Sequence, residues 1–483
     1  MGKMAKNYFY NAAYQILAIV APIITAPYLA RVLGADNLGI YSYVNSSGNI
    51  ITTISLLGIY AYGNRQTAYV RDNKEQLNRT FWELELTRLI LGSIGTAAYA
   101  IYAFWNLKYS IYFLIYYPYI LAEFIDCSWI YVGLEDMKPA VMKNFVAKLV
   151  NVAGIFILVR SKDDLWIYIL LLALTALFSN ISIYTQLHKY VGKPAGKAGR
   201  ILHHLKGSME LFFPQVASLF YMQVDKVMLE WMTHSTRQIS FYDQAEKIVT
   251  IPLSLITVIS TVVMPRLANE YQRKNGQVIQ EILLKAGRYA MCLAMPMMLG
   301  MFCVARQFIP WYLGSEFLPT ATAIMILSPI VLLNSLTGIS GKQYFTATNQ
   351  MKILLGAYVT AAVMNVVVNA MLIPGMGYKG AAIATVLSSS VSVLIQYHFL
   401  MKQVDIRILW KWILKYFGGA LVMAAGIFLF TRNMSATVLT TCLQVILSAG
   451  IYYIFLIVVH DQTLKEGMAI IKGWLYKKRR IQK

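Results

Sequence analysis

Charge is scarce in this sequence. Of 483 residues only 13% are charged, whereas 58% are hydrophobic. Soluble domains run nearer a quarter charged, so the composition alone excludes an ordinary soluble enzyme. Long polar stretches are missing too, which leaves no material for a separate soluble domain. Cysteine is rare. Cys127, Cys292, Cys303 and Cys442 stand singly, with no CxxC and no metal spacing, so buried thiols are expected. The six histidines form no HExxH. The segment GKPAGKAGR resembles a phosphate loop but lacks the GxxxxGK[ST] spacing, so no ATP site is implied. The acidic residues form no metal-spaced set, and no nucleophile stands beside a base. No cofactor and no catalytic residue are expected.

What is present is apolar length. Runs long enough to span a bilayer, ~20 residues each, recur along almost the whole chain. The pattern predicts an all-α integral membrane protein with fourteen transmembrane helices. They fall near 10–31, 38–62, 84–105, 109–133, 141–160, 164–187, 207–232, 239–264, 282–304, 318–340, 352–373, 379–400, 408–430 and 436–459. The first run follows Lys3 and Lys6 but continues past Pro22 and Pro27 without a small-residue cleavage site. It is therefore expected to be a retained span. With these spans, about 28 Lys and Arg fall in the connections on one side and about 8 on the other. The positive-inside rule then places both termini in the cytoplasm. The net charge of +21 follows from that bias and from attraction to anionic lipid. The tail Gly473–Lys483 reads as a membrane-surface basic segment, and nucleic acid is not an expected partner.

The chain also contains a repeat. Leu38–Asn73 and Ile239–Asn275 are each an apolar helix ending in a basic, polar elbow. Arg65 falls against Arg266 and Asn73 against Asn275, while Asn151 and Asn365 take similar places further on. Two six-helix lobes, 1–190 and 207–403, are expected, related by a parallel pseudo-repeat. A basic, glycine-containing linker at 191–206 joins them, and 404–483 adds two helices and the tail. Transporters with such repeats bind substrate between the halves and rock one against the other.

The ionisable residues inside the spans are few. Each costs roughly 2.5–3.5 kcal/mol on insertion scales, so it usually faces a cavity or a partner. The first half holds Glu85, Arg88, Glu123, Asp126 and Lys148. The stretch YMQVDKVMLEWM, Tyr221–Met232, brings Asp225, Lys226 and Glu230, and the next helix brings Asp243, Glu246 and Lys247. Depth counted from the helix ends places Asp225 and Lys226 level with Glu246 and Lys247, ~10 Å inside. Pairs such as Asp225–Lys247 or Lys226–Glu246 are then reachable, and Lys226 and Glu230 share a face. Two readings stay open. The charges form a self-neutralised network that fixes helix packing, or they wall a polar cavity that binds an anionic headgroup and carries a proton or cation. Candidate substrate contacts are Lys226, Lys247, Arg31, Arg65, Arg266 and Lys148. Candidate coupling groups are Asp225, Asp126, Glu123 and Glu246. For Arg31 an interfacial anchor competes with a substrate contact.

Several motifs in one order complete the reading. They are PYLARVLGADNLGIYSY (Pro27–Tyr43), QVDKVML (Gln223–Leu229), FYDQAEKIVTIPLSLI (Phe241–Ile256), VVMPRLA (Val262–Ala268) and IPGMGYKGAAIATVLS (Ile373–Ser388). Across nearly the whole chain the sequence resembles the polysaccharide repeat-unit flippases (Wzx-type) of the multidrug/oligosaccharidyl-lipid/polysaccharide exporter superfamily. One departure is Glu230, where a small residue is more usual. The resemblance implies two six-helix lobes around a cavity and two extra helices. It implies transport of an undecaprenyl-diphosphate-linked oligosaccharide across a bacterial plasma membrane, with proton or sodium coupling. A polymerase and glycosyltransferases would be pathway partners. An antiporter of cationic drugs with the same fold is the alternative, and a membrane glycan polymerase or transferase a third, disfavoured by short outer loops.

Overall fold

A computed structural model of the chain describes residues 3–195 and 200–468. Among them there are helices and no strands. This is what a bilayer demands, because a helix satisfies its backbone hydrogen bonds internally. The first eight α-helices are α1 (Lys3–Leu56), α2 (Ile59–Val70), α3 (Lys74–Trp105), α4 (Ser110–Ile125), α5 (Ser128–Gly133), α6 (Lys138–Leu158), α7 (Leu165–Ser182) and α8 (Ile201–Thr233). Then come α9 (Thr236–Gln272), α10 (Gly276–Tyr312), α11 (Leu318–Leu327), α12 (Pro329–Thr337), α13 (Met351–Met376), α14 (Tyr378–Met401), α15 (Ile408–Thr431) and α16 (Val438–Val458). The basic tail Gly473–Lys483 and part of the 191–206 linker lie outside the described residues.

Nine of the described helical runs are long and apolar enough to cross a membrane, or ten if the bent pair around Ser328 is one span. The difference from fourteen has local causes. The first two expected spans run on as α1, broken only at Gly34, whose φ of 78° interrupts the helical backbone. The fourth is cut by Asp126 and Cys127 into α4 and α5. The seventh and eighth correspond to α8 and α9, whose apolar stretches are only partly covered by the described residues. The break after α1 occupies Leu57 and Gly58, both at positive φ. The two asparagines aligned in the expected repeat, Asn73 and Asn275, both cap helices. Asn73 caps α3 by accepting from the backbone N–H of Glu75 and Gln76, and Asn275 caps α10 by accepting from Val278 N–H.

By packing, the chain divides into two compact units, Met1–Asp243 and Gln244–Lys483. In the first, α8 lies on α1, α2 and α3, and α4 on α7. Its lower core stacks Phe81 on Trp129, with ring centroids 5.5 Å apart. Gly39 of the Pro27–Tyr43 motif permits a close approach, because a Cβ there would lie 1.8 Å from the Thr236 carbonyl oxygen. Small residues serve this purpose widely between membrane helices. In the second unit α13 packs on α14 and α10 on α15. A helical stretch over 462–468 is pinned to α10 by Glu466, which pairs with Arg288 at 2.7 Å and accepts from the Tyr289 hydroxyl at 2.7 Å. That Tyr289 hydrogen bond, with Arg288 and Lys285, holds the Glu466 carboxyl at about 2. The outer faces are apolar: Ile94, Ile101, Leu414 and Phe430 are all exposed, while many serines, asparagines and charged residues are buried. Such an inside-out surface is expected of a protein in lipid.

Candidate functional site

A burial rule locates the site. A charge taken out of water needs a partner or a cavity. In the first unit Asp225, Lys226, Glu230 and Asp243 are all buried, Asp225 completely. Helix α8 ends at Thr233, His234 turns the chain at φ 52°, and α9 starts at Thr236. The turn brings the end of α8 beside the start of α9. Lys226 Nζ meets Asp243 Oδ1 at 2.8 Å. The Tyr242 hydroxyl donates to Asp225 Oδ2 at 2.5 Å. Neighbouring residues of one helix thus meet neighbouring residues of the other, one acid–base and one acid–phenol. Tyr41 and Tyr168 stack edge-on in the same unit, with centroids 4.8 Å apart. Half-buried Glu246 and exposed Lys247 follow on α9 in the second unit.

Glu230, the departure from the usual small residue, has partners nearer the turn. It accepts from the Tyr109 hydroxyl at 2.8 Å and from Lys108 Nζ at 3.1 Å. Lys108 also reaches the His234 carbonyl at 3.4 Å. Beside it Trp231 donates to the Tyr43 hydroxyl at 3.3 Å, which also accepts from Asn106 at 2.7 Å. These contacts tie the last turn of α8 to the segment before α4. Sequence reasoning missed Lys108, which lies between expected spans, and Tyr109, which opens one.

A separate polar nest surrounds the break between α4 and α5. Asp126 accepts from Ser128 N–H at 2.9 Å, so it caps α5, and it pairs with Lys143 of α6 at 2.7 Å. Lys143 also donates to Asn180 Oδ1 at 2.5 Å, and Asn180 donates to the Ala122 carbonyl at 2.7 Å. Glu123 is half-buried and hydrogen-bonded to Tyr119. Two of the candidate coupling carboxylates therefore sit here, on a helix end, apart from Asp225. The signal for Lys143 was the capping pattern Asp126–Ser128: an acid at a helix break inside an apolar run requires a cation.

The remaining candidates are dispersed. Arg31 is exposed and donates to the Pro27 carbonyl at 3.5 Å, within its own helix. Arg65 is half-buried with its guanidinium 5.6 Å from the Tyr62 ring centroid. Arg266 is exposed near the end of α9, and Lys148 is half-buried on α6. Glu85 and Arg88 form a buried pair with each other, and Arg88 also donates to the Tyr184 hydroxyl at 2.6 Å. Among the described residues no cluster of acids, histidines or cysteines could hold a metal ion.

An all-helical chain with buried ionic clusters is the architecture of a membrane transporter, and known proteins place it more closely. The chain superposes on the lipid II flippase MurJ in an inward closed conformation, with a TM-score of 0.74 at 18% identity, covering 95% of this chain and all of that one. It also superposes on an inward-facing multidrug resistance MATE transporter, with a TM-score of 0.64 at 15% identity, covering 82% and 96%. The family model for polysaccharide biosynthesis proteins matches residues 4–271, and the model for the lipid II flippase MurJ matches residues 146–450. The chain belongs to the polysaccharide biosynthesis protein family. Among its relatives, a Shigella dysenteriae protein provisionally named an O-antigen transporter is 22% identical over 79% of this chain and 95% of its own. A Haloferax volcanii protein, provisionally the low-salt glycan biosynthesis flippase Agl15, is 26% identical over 59% of this chain and 60% of its own.

Proposed function

We propose that the protein is a flippase that carries a lipid-linked oligosaccharide across the membrane, and not an enzyme. The observation that carries this reading is the buried Lys226–Asp243 pair beside Asp225, in a chain of the polysaccharide biosynthesis family. The relatives named as O-antigen transporter and glycan flippase support it.

The substrate is an undecaprenyl-diphosphate-linked repeat unit, taken from the inner to the outer leaflet of a bacterial plasma membrane. Fourteen spans in two six-helix lobes, 1–190 and 207–403, with two further helices, alternate access to a cavity; both termini are cytoplasmic. A diphosphate is anionic and a lysine in a low-dielectric site attracts it strongly. Substrate phosphate competes with Asp243 for Lys226. Lys247, one turn further along α9, is a second cationic contact at the cavity wall, and Arg65, Arg266 and Lys148 draw the substrate in. Arg31 anchors α1 at the interface. When phosphate displaces Asp243, a carboxylate becomes available to bind a proton or a sodium ion, which links transport to an ion gradient. Asp225, already held by a phenol, is the neighbour that shares this charge; Glu246, Glu123 and Asp126 are further coupling candidates. Opening towards the outside breaks the Glu230 contacts with Lys108 and Tyr109. The pathway's glycosyltransferases and polymerase act before and after this step.

The test is reconstitution. Purified protein in liposomes turns over a lipid-diphosphate-linked oligosaccharide, measured by its accessibility to an external glycan-modifying enzyme. Uptake of a cationic drug with no turnover of the lipid-linked sugar would replace this reading with that of a drug antiporter.

A further inference from the structure

The first unit contains a groove that the transport cycle above does not use. It lies between α6 and α7, with a volume of about 590 Å³, and its walls are mostly aliphatic. The helices touch at Gly154, where a Cβ would come within 2.7 Å of Leu171, and again at Ser179, whose hydroxyl donates to the Lys143 carbonyl at 3.1 Å. From Leu158 to Pro139 the α6 wall runs roughly 28 Å at 1.5 Å per residue. That is nearly the whole of a ~30 Å hydrocarbon core, so one acyl chain from the cytoplasmic side would take its lower half.

The chemistry changes along the groove. Val146, Val150, Leu171 and Leu174 line the apolar part, and Ser182, Thr185 and Gln186 line the lower end. Lys143 reaches its floor, but Asp126 neutralises it. The uncompensated charge is at the rim. Lys138, in the first turn of α6, and Lys189, at the end of the 3-10 turn after α7, are both exposed. Of the acids nearby, Glu135 pairs with Arg71 at 2.7 Å, and Asp136 accepts from the Tyr190 hydroxyl and keeps one negative charge against the two lysines, which leaves the rim net positive. The rim also holds the positive end of the α6 dipole. By the positive-inside rule this rim faces the cytoplasm.

We propose that the α6–α7 groove binds an anionic glycerophospholipid of the inner leaflet, one acyl chain lying in the groove and the phosphate between Lys138 and Lys189. The lower half of the groove, between Val150 and Pro139, is long enough for one acyl chain. Basic pockets between membrane helices on the cytoplasmic side are known to select anionic headgroups. The bound lipid lies along the seam between α6 and α7 and reaches the floor where Lys143 holds Asp126 and Asn180.

The test uses the full chain, delipidated in detergent and titrated with phosphatidylglycerol or with phosphatidylcholine of the same acyl chains, bound lipid being counted by native mass spectrometry. Phosphatidylglycerol is expected to bind more tightly. Lys138→Ala and Lys189→Ala should each weaken it about fivefold and leave phosphatidylcholine unchanged. Ala147→Trp, which fills the groove, should remove the tight site. The rim lysines are exposed, so their variants keep the proposal testable if Ala147→Trp fails to fold. Equal affinity for the two lipids, or no loss in the double rim variant, would overturn the proposal. So would preferential binding of a polyprenyl phosphate at the groove, which would make the occupant the sugar carrier.

Discussion

Replacing Asp243 separates the two roles that a buried ion pair can have. In Asp243→Asn the Lys226 ammonium keeps its buried position, 6% exposed, but loses an anion at 2.8 Å. Removing one partner of such a pair costs about 3–5 kcal/mol. Here the low end applies, about 3 kcal/mol, because Asp225 adjoins Lys226 and keeps the surroundings negative. The double variant Lys226→Met with Asp243→Leu removes the pair as a unit and leaves Asp225 on its Tyr242 hydrogen bond, and such apolar replacements of a pair are often neutral in stability. Its unfolding free energy, followed by tryptophan fluorescence in a denaturant series, should return to within ~1 kcal/mol of the parent. If the pair only fastens α8 to α9, this double variant also transports. If Lys226 receives the diphosphate, it is stable and inactive. A stable double variant that turns over lipid-linked sugar at the parent rate would refute the cationic role of Lys226.

Three further outcomes follow from the geometry. Glu230→Gln removes the charge that holds Lys108 and weakens a charge-assisted bond from Tyr109, each of the kind worth about 1.5–3 kcal/mol when shielded. Lys108 is 58% exposed, which screens its share; a cysteine at Ser42, in a chain without its native cysteines, should react about tenfold faster with an impermeant external thiol reagent. Gly39→Ala forces a Cβ to 1.8 Å from a backbone oxygen, so folded yield measured by size-exclusion fluorescence should fall sharply, whereas Gly356→Ala, which meets nothing within 4 Å, should be tolerated. Glu466 has a depressed pKa of about 2, below the ordinary glutamate value of ~4.3. Its stabilisation of the 462–468 segment is therefore complete above the ordinary value and is lost as pH falls through about 2; hydrogen exchange of that segment should speed up between these values, and Glu466→Gln should abolish the pH dependence.

The membrane class was legible in composition, and helices occupy every stretch where an apolar run predicts one. What hydropathy could not see were the interruptions. Leu57–Gly58 and Asp126–Cys127 lie within apolar runs, and a left-handed residue or an N-cap leaves little trace in mean hydropathy. The candidate site shows the same limit in numbers. A depth counted from a helix start at 239 does not single out Asp243, whereas α9 begins at Thr236, nearly one turn earlier, and Asp243 meets Lys226. Residues 243, 246 and 247 share a helical face. The partners of Glu230, Lys108 and Tyr109, come from a segment far away in sequence, and no periodicity reports such pairings.

The central claim is that a cationic site on α8 and α9 moves a lipid diphosphate. Its most direct measurement is turnover of a lipid-diphosphate-linked oligosaccharide by proteoliposomes of the parent, Lys226→Ala and Lys247→Ala, normalised to folded protein. The account predicts that both variants assemble and that each loses most of its turnover. Parent-level turnover in both would contradict it.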